Sequence, residues 1–156
     1  MLNYGQVDLQ KLYDSQVVGT CGLGVPAEIV ELSEGYLAAR ARLDTYVRTG
    51  GFVPGPAQFT LVDGLAWLLV VAHLPPESDT MTTDVSAQFM RAAPLGEMSI
   101  RLWLRQLGSR RAVVAADLFS PSVSQGPISQ FIAGFMPMPA SSGRPGSRTG
   151  TVPGPH

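Results

Sequence analysis

Asp63 is the residue of this chain whose surroundings most strongly suggest chemistry. It interrupts an otherwise apolar segment, residues 57–72, in which a carboxylate has few polar neighbours. Burying a lone carboxylate is unfavourable unless it is paired, hydrogen-bonded or protonated, and sites that bear this cost are commonly functional. The structural alternative is capping of a helix start, but Asp63 lies about two turns into the segment, beyond the turn in which capping acts. From position alone, a catalytic carboxylate and a structural one both stay open.

Other reactive side chains are scarce. Cys21 is the only cysteine, Lys11 the only lysine, and His73 and His156 the only histidines. A disulfide framework and a cysteine zinc cluster are therefore excluded, and a Ser-His-Asp triad or a histidine metal site would depend on His73. Neither a GxGxxG nor a GxxxxGK[ST] pattern is present. An enzyme of this composition would use carboxylate, hydroxyl and backbone groups, so we expect no cofactor and no metal.

Composition limits the partners. The chain has 156 residues and a net charge of −1, which suits one domain with a core and gives no electrostatic drive toward nucleic acid or an acidic membrane. It opens without the basic and apolar regions of a signal peptide. The uninterrupted apolar run, residues 65–72, is far shorter than the roughly 20 residues of a membrane span. We therefore predict a cytoplasmic protein with no membrane or nucleic-acid partner.

Apolar periodicity predicts the elements that must position Asp63. The segment 57–72 follows Pro54-Gly55-Pro56 and is apolar on all sides, which is typical of a core helix. A second helix is predicted over residues 8–18, with Asp8 as its N-cap. Alternating patterns predict strands over residues 27–32, 36–43, 80–91, 97–107, 110–119 and 128–136. Within the strand 80–91, alternation predicts one face with Met81, Thr83, Val85, Ala87 and Phe89, and an opposite polar face with Thr82, Asp84, Ser86 and Gln88.

These elements predict an α+β architecture. Short links favour antiparallel neighbours, and a curved antiparallel sheet of about six strands can wrap a helix that is apolar all round. The sheet would still expose its edges, which dimerisation would cover. Residues 1–136 are predicted to form this single domain, and residues 137–156, rich in Pro, Gly and Ser, a disordered tail.

Three segments resemble one known family. They are residues 55–63 (GPAQFTLVD), which open the central helix and end in the acid, residues 81–91 (MTTDVSAQFMR), and the turn 94–97 (PLGE). In their order and spacing they are similar to hotdog-fold proteins, specifically PaaI-like acyl-CoA thioesterases. The resemblance extends over about residues 22–137. It implies a hotdog fold in which the curved sheet wraps the central apolar helix.

The resemblance also implies an activity. Such proteins are homodimers or dimer-of-dimers tetramers that bind a CoA thioester between subunits. By this likeness the Gly55 N–H polarises the thioester carbonyl, and Asp63 acts as general base or nucleophile. Thr82, supplied by the partner subunit, positions water or the carboxylate. The expected substrate contacts are Pro56, Thr83, Asp84 and Arg91, the last through CoA phosphates, although a solvated strand end is an alternative for Arg91.

Two departures from the family pattern motivate an alternative function. Many relatives have His-Gly-Gly before the helix, where this chain has Pro54-Gly55-Pro56. The histidine is lost, and Pro56 has no N–H to donate. Many relatives also place an asparagine where this chain has Arg48. The alternative is a non-catalytic hotdog module that binds acyl-CoA or another apolar ligand.

Overall fold

A computed structural model describes residues 1–20, 24–45 and 50–140. The predictions for Cys21, Arg48 and residues 141–156 lie outside them. Helix α1 spans Gln6–Leu12 and continues as a π-helical segment, Tyr13–Thr20. The central helix α2 spans Gly55–Val71. The strands are β1 Ala27–Ser33, β2 Tyr36–Arg42, β3 Asp79–Phe89, β4 Glu97–Leu107, β5 Ala112–Phe119 and β6 Ser129–Met138.

The strands form one antiparallel sheet. Its order is β1-β2-β4-β5-β6-β3, so β1 and β3 are the two edges. Burial alternates strictly along β5, in which every second residue is buried, as expected of a strand with one face on the core. The predicted α+β architecture, a six-stranded antiparallel sheet with a central helix, is confirmed.

Helix α2 forms the centre of the core. Pro54 is its N-cap and Pro56 lies in its first turn, where a missing N–H costs no intrahelical hydrogen bond. Eleven of its seventeen residues are buried, because β3, β4, β5 and β6 pack along it and the π-helical segment covers another side. A Cβ at Gly64 would lie 2.8 Å from Val17 Cγ1. Glycine at this position therefore lets the N-terminal segment pack closely against α2 beside Asp63.

Two of the differences from the predicted element bounds have a clear physical reason. Helix α1 begins at Gln6 with Gly5 as its N-cap, so the prediction that Asp8 caps the helix is wrong and Asp8 lies in the first turn. Strand β6 continues to Met138, two residues into the predicted tail, and Pro137 pairs with Thr80. Pairing between β6 and β5 ends at Phe135, so beyond it Pro137 has a strand on one side only, where proline is tolerated.

Among the described residues, no helix is long and apolar enough to cross a membrane.

Candidate active site

Asp63 and Thr82 are joined by a hydrogen bond. Thr82 Oγ1 on β3 donates to Asp63 Oδ1 on α2 at 2.8 Å. Asp63 is half-buried, because the side of α2 that faces the edge strand β3 opens into a cavity. The other carboxylate oxygen of Asp63 takes no hydrogen bond within the described part of the chain. Asp63 is thus oriented by one bond and keeps one oxygen for a further donor.

The cavity beside Asp63 has a volume of about 350 Å³. Trp67 forms part of its wall, and Trp67 Nε1 donates to Asp79 Oδ1 at 2.9 Å. The Thr80 N–H donates to the same oxygen at 2.7 Å. These bonds fix the position of a second carboxylate at the edge of the cavity. The lining residues are Gln16, Val17, Asp63, Gly64, Trp67, Asp79, Thr80 and Thr82.

A β-bulge determines which residues of β3 face this cavity. The register between β3 and β6 shifts between Thr82 and Asp84, so Thr83 has no partner of its own. An extra residue in one strand reverses the alternation of faces. Before the bulge Thr80 and Thr82 are the less exposed residues, and after it Val85 and Ala87 are. The prediction of one continuous face from Met81 to Phe89, with Thr82 and Asp84 together on the other, is therefore wrong.

Thr82 reaches Asp63 within one chain. The family resemblance implied that this hydroxyl would come from a partner subunit. The structure instead brings together Asp63 and Thr82 of the same chain, because β3 runs beside α2 and Thr82 precedes the bulge. A contribution of Thr82 from a partner subunit stays a prediction.

The start of α2 presents one free backbone donor. Pro56 has no N–H, and the N–H groups of Ala57 and Gln58 both donate to Pro54 O, at 3.2 and 3.4 Å. Within the described residues, the Gly55 N–H has no hydrogen-bond partner. Unpaired N–H groups at a helix start attract a developing negative charge. In the described residues, the Gly55 N–H is therefore the free donor at the start of α2. It is the group to which the family resemblance assigned the contact with the thioester carbonyl.

Gly55 borders a second cleft, of about 320 Å³. A Cβ at position 55 would lie 3.0 Å from Phe89 Cζ, so the Phe89 ring lies directly against this glycine. Phe89 also packs edge-on against Phe131, with ring centroids 5.8 Å apart. The cleft is lined by Phe52, Val53, Pro54, Gly55, Gln58, Phe89, Arg91, Ala92 and Ala93.

A buried polar network holds the segment before α2. Ser129 Oγ on β6 donates to Gln58 Oε1 at 2.8 Å, and Gln58 Nε2 donates to Val53 O at 3.3 Å. Gln58 and Ser129 are both buried. The Val53 N–H donates to Ala93 O at 2.9 Å. These bonds fix the peptides that immediately precede Gly55.

The other predicted substrate contacts lie apart from Asp63. Arg91 Nη1 donates to Pro127 O at 2.6 Å and Nη2 to Gln125 O at 3.3 Å, so this guanidinium holds the turn before β6. Pro56 is exposed at the start of α2. Asp63 and Thr82 therefore line one cavity, and Gly55 and Arg91 line the other.

Thr83 and Asp84 face neither cavity. Asp84 accepts hydrogen bonds from Arg111 Nη1 at 3.0 Å and from Thr83 Oγ1 at 2.7 Å. The Arg111 guanidinium, and secondly the Thr83 hydroxyl, hold the pKa of the Asp84 carboxyl below its ordinary value. Thr83, Asp84 and Arg111 are all exposed, and none of them lines either cavity.

Sequence reasoning missed Thr80, Gln58 and Ser129. Gln58 carries the signal that identified Asp63, a polar residue inside an apolar helix. Thr80 and Ser129 carry no such signal, because threonine and serine are ordinary residues at the ends of strands.

Comparison with known proteins identifies one family. A family described as the thioesterase superfamily matches residues 50–126, which run from the loop before α2 to the turn before β6. A search of curated proteins found no match.

Solved structures share the fold over most of the chain. A candidate thioesterase from Silicibacter sp. TM1040 is 28% identical with a TM-score of 0.76, over 89% of this chain and 95% of that one. A thioesterase from Haemophilus influenzae is 17% identical with a TM-score of 0.75, over 90% and 96%. A Streptococcus mutans protein bound to acetyl-CoA is 17% identical with a TM-score of 0.66, over 74% and 90%.

Proposed function

Because the chain belongs to the thioesterase superfamily and has its hotdog fold, we propose that it hydrolyses acyl-CoA thioesters to a free acid and CoA. Membership of this superfamily supports thioester hydrolysis as the general activity. The acetyl-CoA bound by the Streptococcus mutans protein supports CoA as the carrier of the acyl group. The finer resemblance to PaaI-like thioesterases supports the same substrate.

The hydrogen bond between Thr82 and Asp63 is the observation that carries this proposal. It orients a carboxylate at a cavity and leaves one carboxylate oxygen to accept a proton. As general base, Asp63 takes a proton from water while the water oxygen bonds to the thioester carbonyl carbon. The tetrahedral intermediate then collapses, the C–S bond breaks, and the thiolate of CoA leaves and is protonated. Direct attack by the Asp63 carboxylate, followed by hydrolysis of the mixed anhydride, is the alternative route.

The free N–H of Gly55 supports an oxyanion role. The donor lies at the positive end of α2 and faces a cleft with apolar walls, where a hydrogen bond to a developing charge is stronger than in water. Phe89 packs against Gly55 and restricts the approach of any group to this N–H. Arg91 lines the same cleft, and Pro56 is the exposed residue that follows Gly55; both are proposed to contact the CoA moiety. Gly55 and Asp63 are eight positions apart, or about 12 Å along the helix axis, so one thioester carbonyl cannot reach both groups of the same chain. We therefore propose that the Gly55 donor and the Asp63 base of one site come from different subunits.

We propose a homodimer or a dimer of dimers, with the sites between subunits. The 11-residue strand β3 is an unpaired edge, and Met81 and Phe89 on it are about half exposed. A long exposed edge strand with apolar residues is a natural surface for association. Thr83 and Asp84 lie on this edge strand, so their proposed contact with substrate would involve the subunit boundary. A cytoplasmic location stays a prediction.

A panel of thioesters tests the proposed activity. The purified protein is incubated with acetyl-CoA, palmitoyl-CoA and benzoyl-CoA, and release of free thiol is followed. We expect turnover above the spontaneous rate for at least one of them, and the preferred chain would identify the substrate class. Saturable binding of these compounds without thiol release would refute the hydrolase and favour the alternative, a non-catalytic module that binds acyl-CoA.

A further inference from the structure

Thr80 is a buried polar residue that the proposed chemistry does not yet use. It is 5% exposed, and its Oγ1 atom is buried without a hydrogen-bond partner in the described part of the chain. Thr80 also lines the cavity that contains Asp63 and Thr82. Burial of an unpaired hydroxyl is unfavourable, and native proteins rarely retain one without a ligand or water to satisfy it.

The fold places Thr80 and Thr82 on the same side of β3. They are two positions apart and both precede the bulge, so their side chains lie on one face, with Cα atoms about 6–7 Å apart. Thr82 occupies one oxygen of Asp63. Among the described residues that line the cavity, three side-chain oxygens take no hydrogen bond from the protein: the other Asp63 oxygen, Asp79 Oδ2 and Thr80 Oγ1.

The neighbouring polar groups do not satisfy Thr80. Asp79 Oδ1 already accepts from Trp67 Nε1 and from the backbone N–H of Thr80 itself. The cavity of about 350 Å³ exceeds the roughly 30 Å³ that one water molecule occupies in the liquid. It can therefore hold a water molecule together with the reacting end of an acyl thioester.

We propose that Thr80 Oγ1 and the free oxygen of Asp63 together hold the attacking water. One water O–H donates to Asp63, which receives the proton, and the other O–H donates to Thr80 Oγ1. This arrangement leaves a lone pair of the water oxygen directed at the thioester carbonyl carbon. As the C–O bond forms, the proton moves to Asp63. The tetrahedral intermediate then collapses, and the C–S electron pair leaves with CoA. The inference rests on the proposed hydrolysis and adds to it a water-positioning residue.

Substitution of Thr80 separates this role from a packing role. Thr80→Val keeps the shape of the side chain and removes only the hydroxyl. We expect kcat to fall about 10-fold or more, with KM changed by less than about 3-fold, because positioning acts on the reacting geometry and not on substrate affinity. The midpoint of thermal unfolding should not fall, since no protein hydrogen bond is lost. Thr80→Ser, which restores the hydroxyl, should recover most of the kcat.

Ser33→Ala is the matched control, because it removes an exposed hydroxyl at the end of β1, away from the cavity and from the edge strand β3. It should leave kcat unchanged. If Thr80→Val has the kcat of the wild type, the inference is overturned, whatever its stability. The same conclusion follows if Thr80→Ser and Thr80→Val lose kcat equally.

A crystal structure of the wild-type protein tests the water site without any turnover. We expect a water molecule within about 2.6–3.2 Å of both Thr80 Oγ1 and an Asp63 oxygen, and its loss in Thr80→Val. A wild-type protein that shows this water but hydrolyses none of the thioesters would support the water site and refute the proposed function. Absence of the bridging water, in a protein that is active, would refute the inference alone.

Discussion

Substitution of Ser129 by alanine should show how firmly the start of α2 is held. Ser129 Oγ donates to Gln58 Oε1 at 2.8 Å, and Gln58 donates onward to Val53 O. Ser129 is fully buried and Gln58 is 3% exposed, so water cannot replace the lost donor easily. Ser129→Ala therefore leaves the Gln58 carbonyl buried and unpaired.

The expected loss of stability in Ser129→Ala follows from the unpaired Gln58 carbonyl. Leaving a buried acceptor unsatisfied lowers the free energy of unfolding by about 1–3 kcal/mol. For a domain of this size each kcal/mol corresponds to about 2–4 °C in Tm. Gln58→Leu removes the amide and leaves Ser129 Oγ and Val53 O unpaired, so it should cost a similar amount. The double variant Ser129→Ala/Gln58→Leu should cost less than the sum of the two by about 0.5–3 kcal/mol, since the partners share one interaction.

Urea unfolding followed by tryptophan fluorescence measures these differences. Ser86→Ala, at an exposed position of β3, serves as the control for loss of a serine hydroxyl and should lie within about 0.5 kcal/mol of the wild type. A Ser129→Ala variant as stable as this control, or a double variant whose cost equals the sum of its parts, would show that the network does not hold the start of the helix.

Three further outcomes are expected. Gly64→Ala should lower Tm despite the better helix propensity of alanine, because the new Cβ would lie 2.8 Å from a Val17 methyl and overpacking costs about 1–3 kcal/mol; an unchanged or higher Tm would contradict this. His73→Ala should lower Tm, since His73 Nε2 accepts the Gly35 N–H at 2.9 Å and links the end of α2 to the β1–β2 turn; His73→Gln should lose less. The lowered pKa of Asp84 means that its contribution to stability is present above the ordinary value of 3.8 and is lost as pH falls through the lower folded value. The free energy of unfolding, measured with urea between about pH 3 and 6, should therefore change less with pH for Asp84→Asn than for the wild type. The same change with pH in both proteins would contradict this.

Regular elements could be predicted because their signals are local. The alternating apolar residues of β4 gave its bounds without error, and the all-apolar character of residues 57–72 identified the core helix. The strand ends at β3 and β6 were correct to within two residues. Asp63 was found for the same reason, since a charged residue in an apolar helix stands out within its own segment.

Features that depend on pairing between strands could not be predicted. The bulge at Thr83 arises from the register of β3 against β6, for which Thr82 and Asp84 give no local signal. Because of the bulge, Thr82 and Asp84 lie on opposite faces of β3, and the Thr82 hydroxyl reaches Asp63 of the same chain. The unpaired hydroxyl of Thr80 likewise becomes visible only when α2 and β3 are placed side by side.

Replacement of Asp63 by asparagine tests whether its carboxylate is the general base of thioester hydrolysis. With the best substrate of the thioester panel, kcat is measured for the wild type, Asp63→Asn and the control Asp117→Asn. The control changes a half-buried carboxylate that bonds Gln130 outside the cavity. Asp63→Asn should remain folded and lose about 100-fold or more in kcat, the typical contribution of a general base, while Asp117→Asn should keep the wild-type value. A folded Asp63→Asn variant with the same kcat as Asp117→Asn would refute the role of Asp63 as general base.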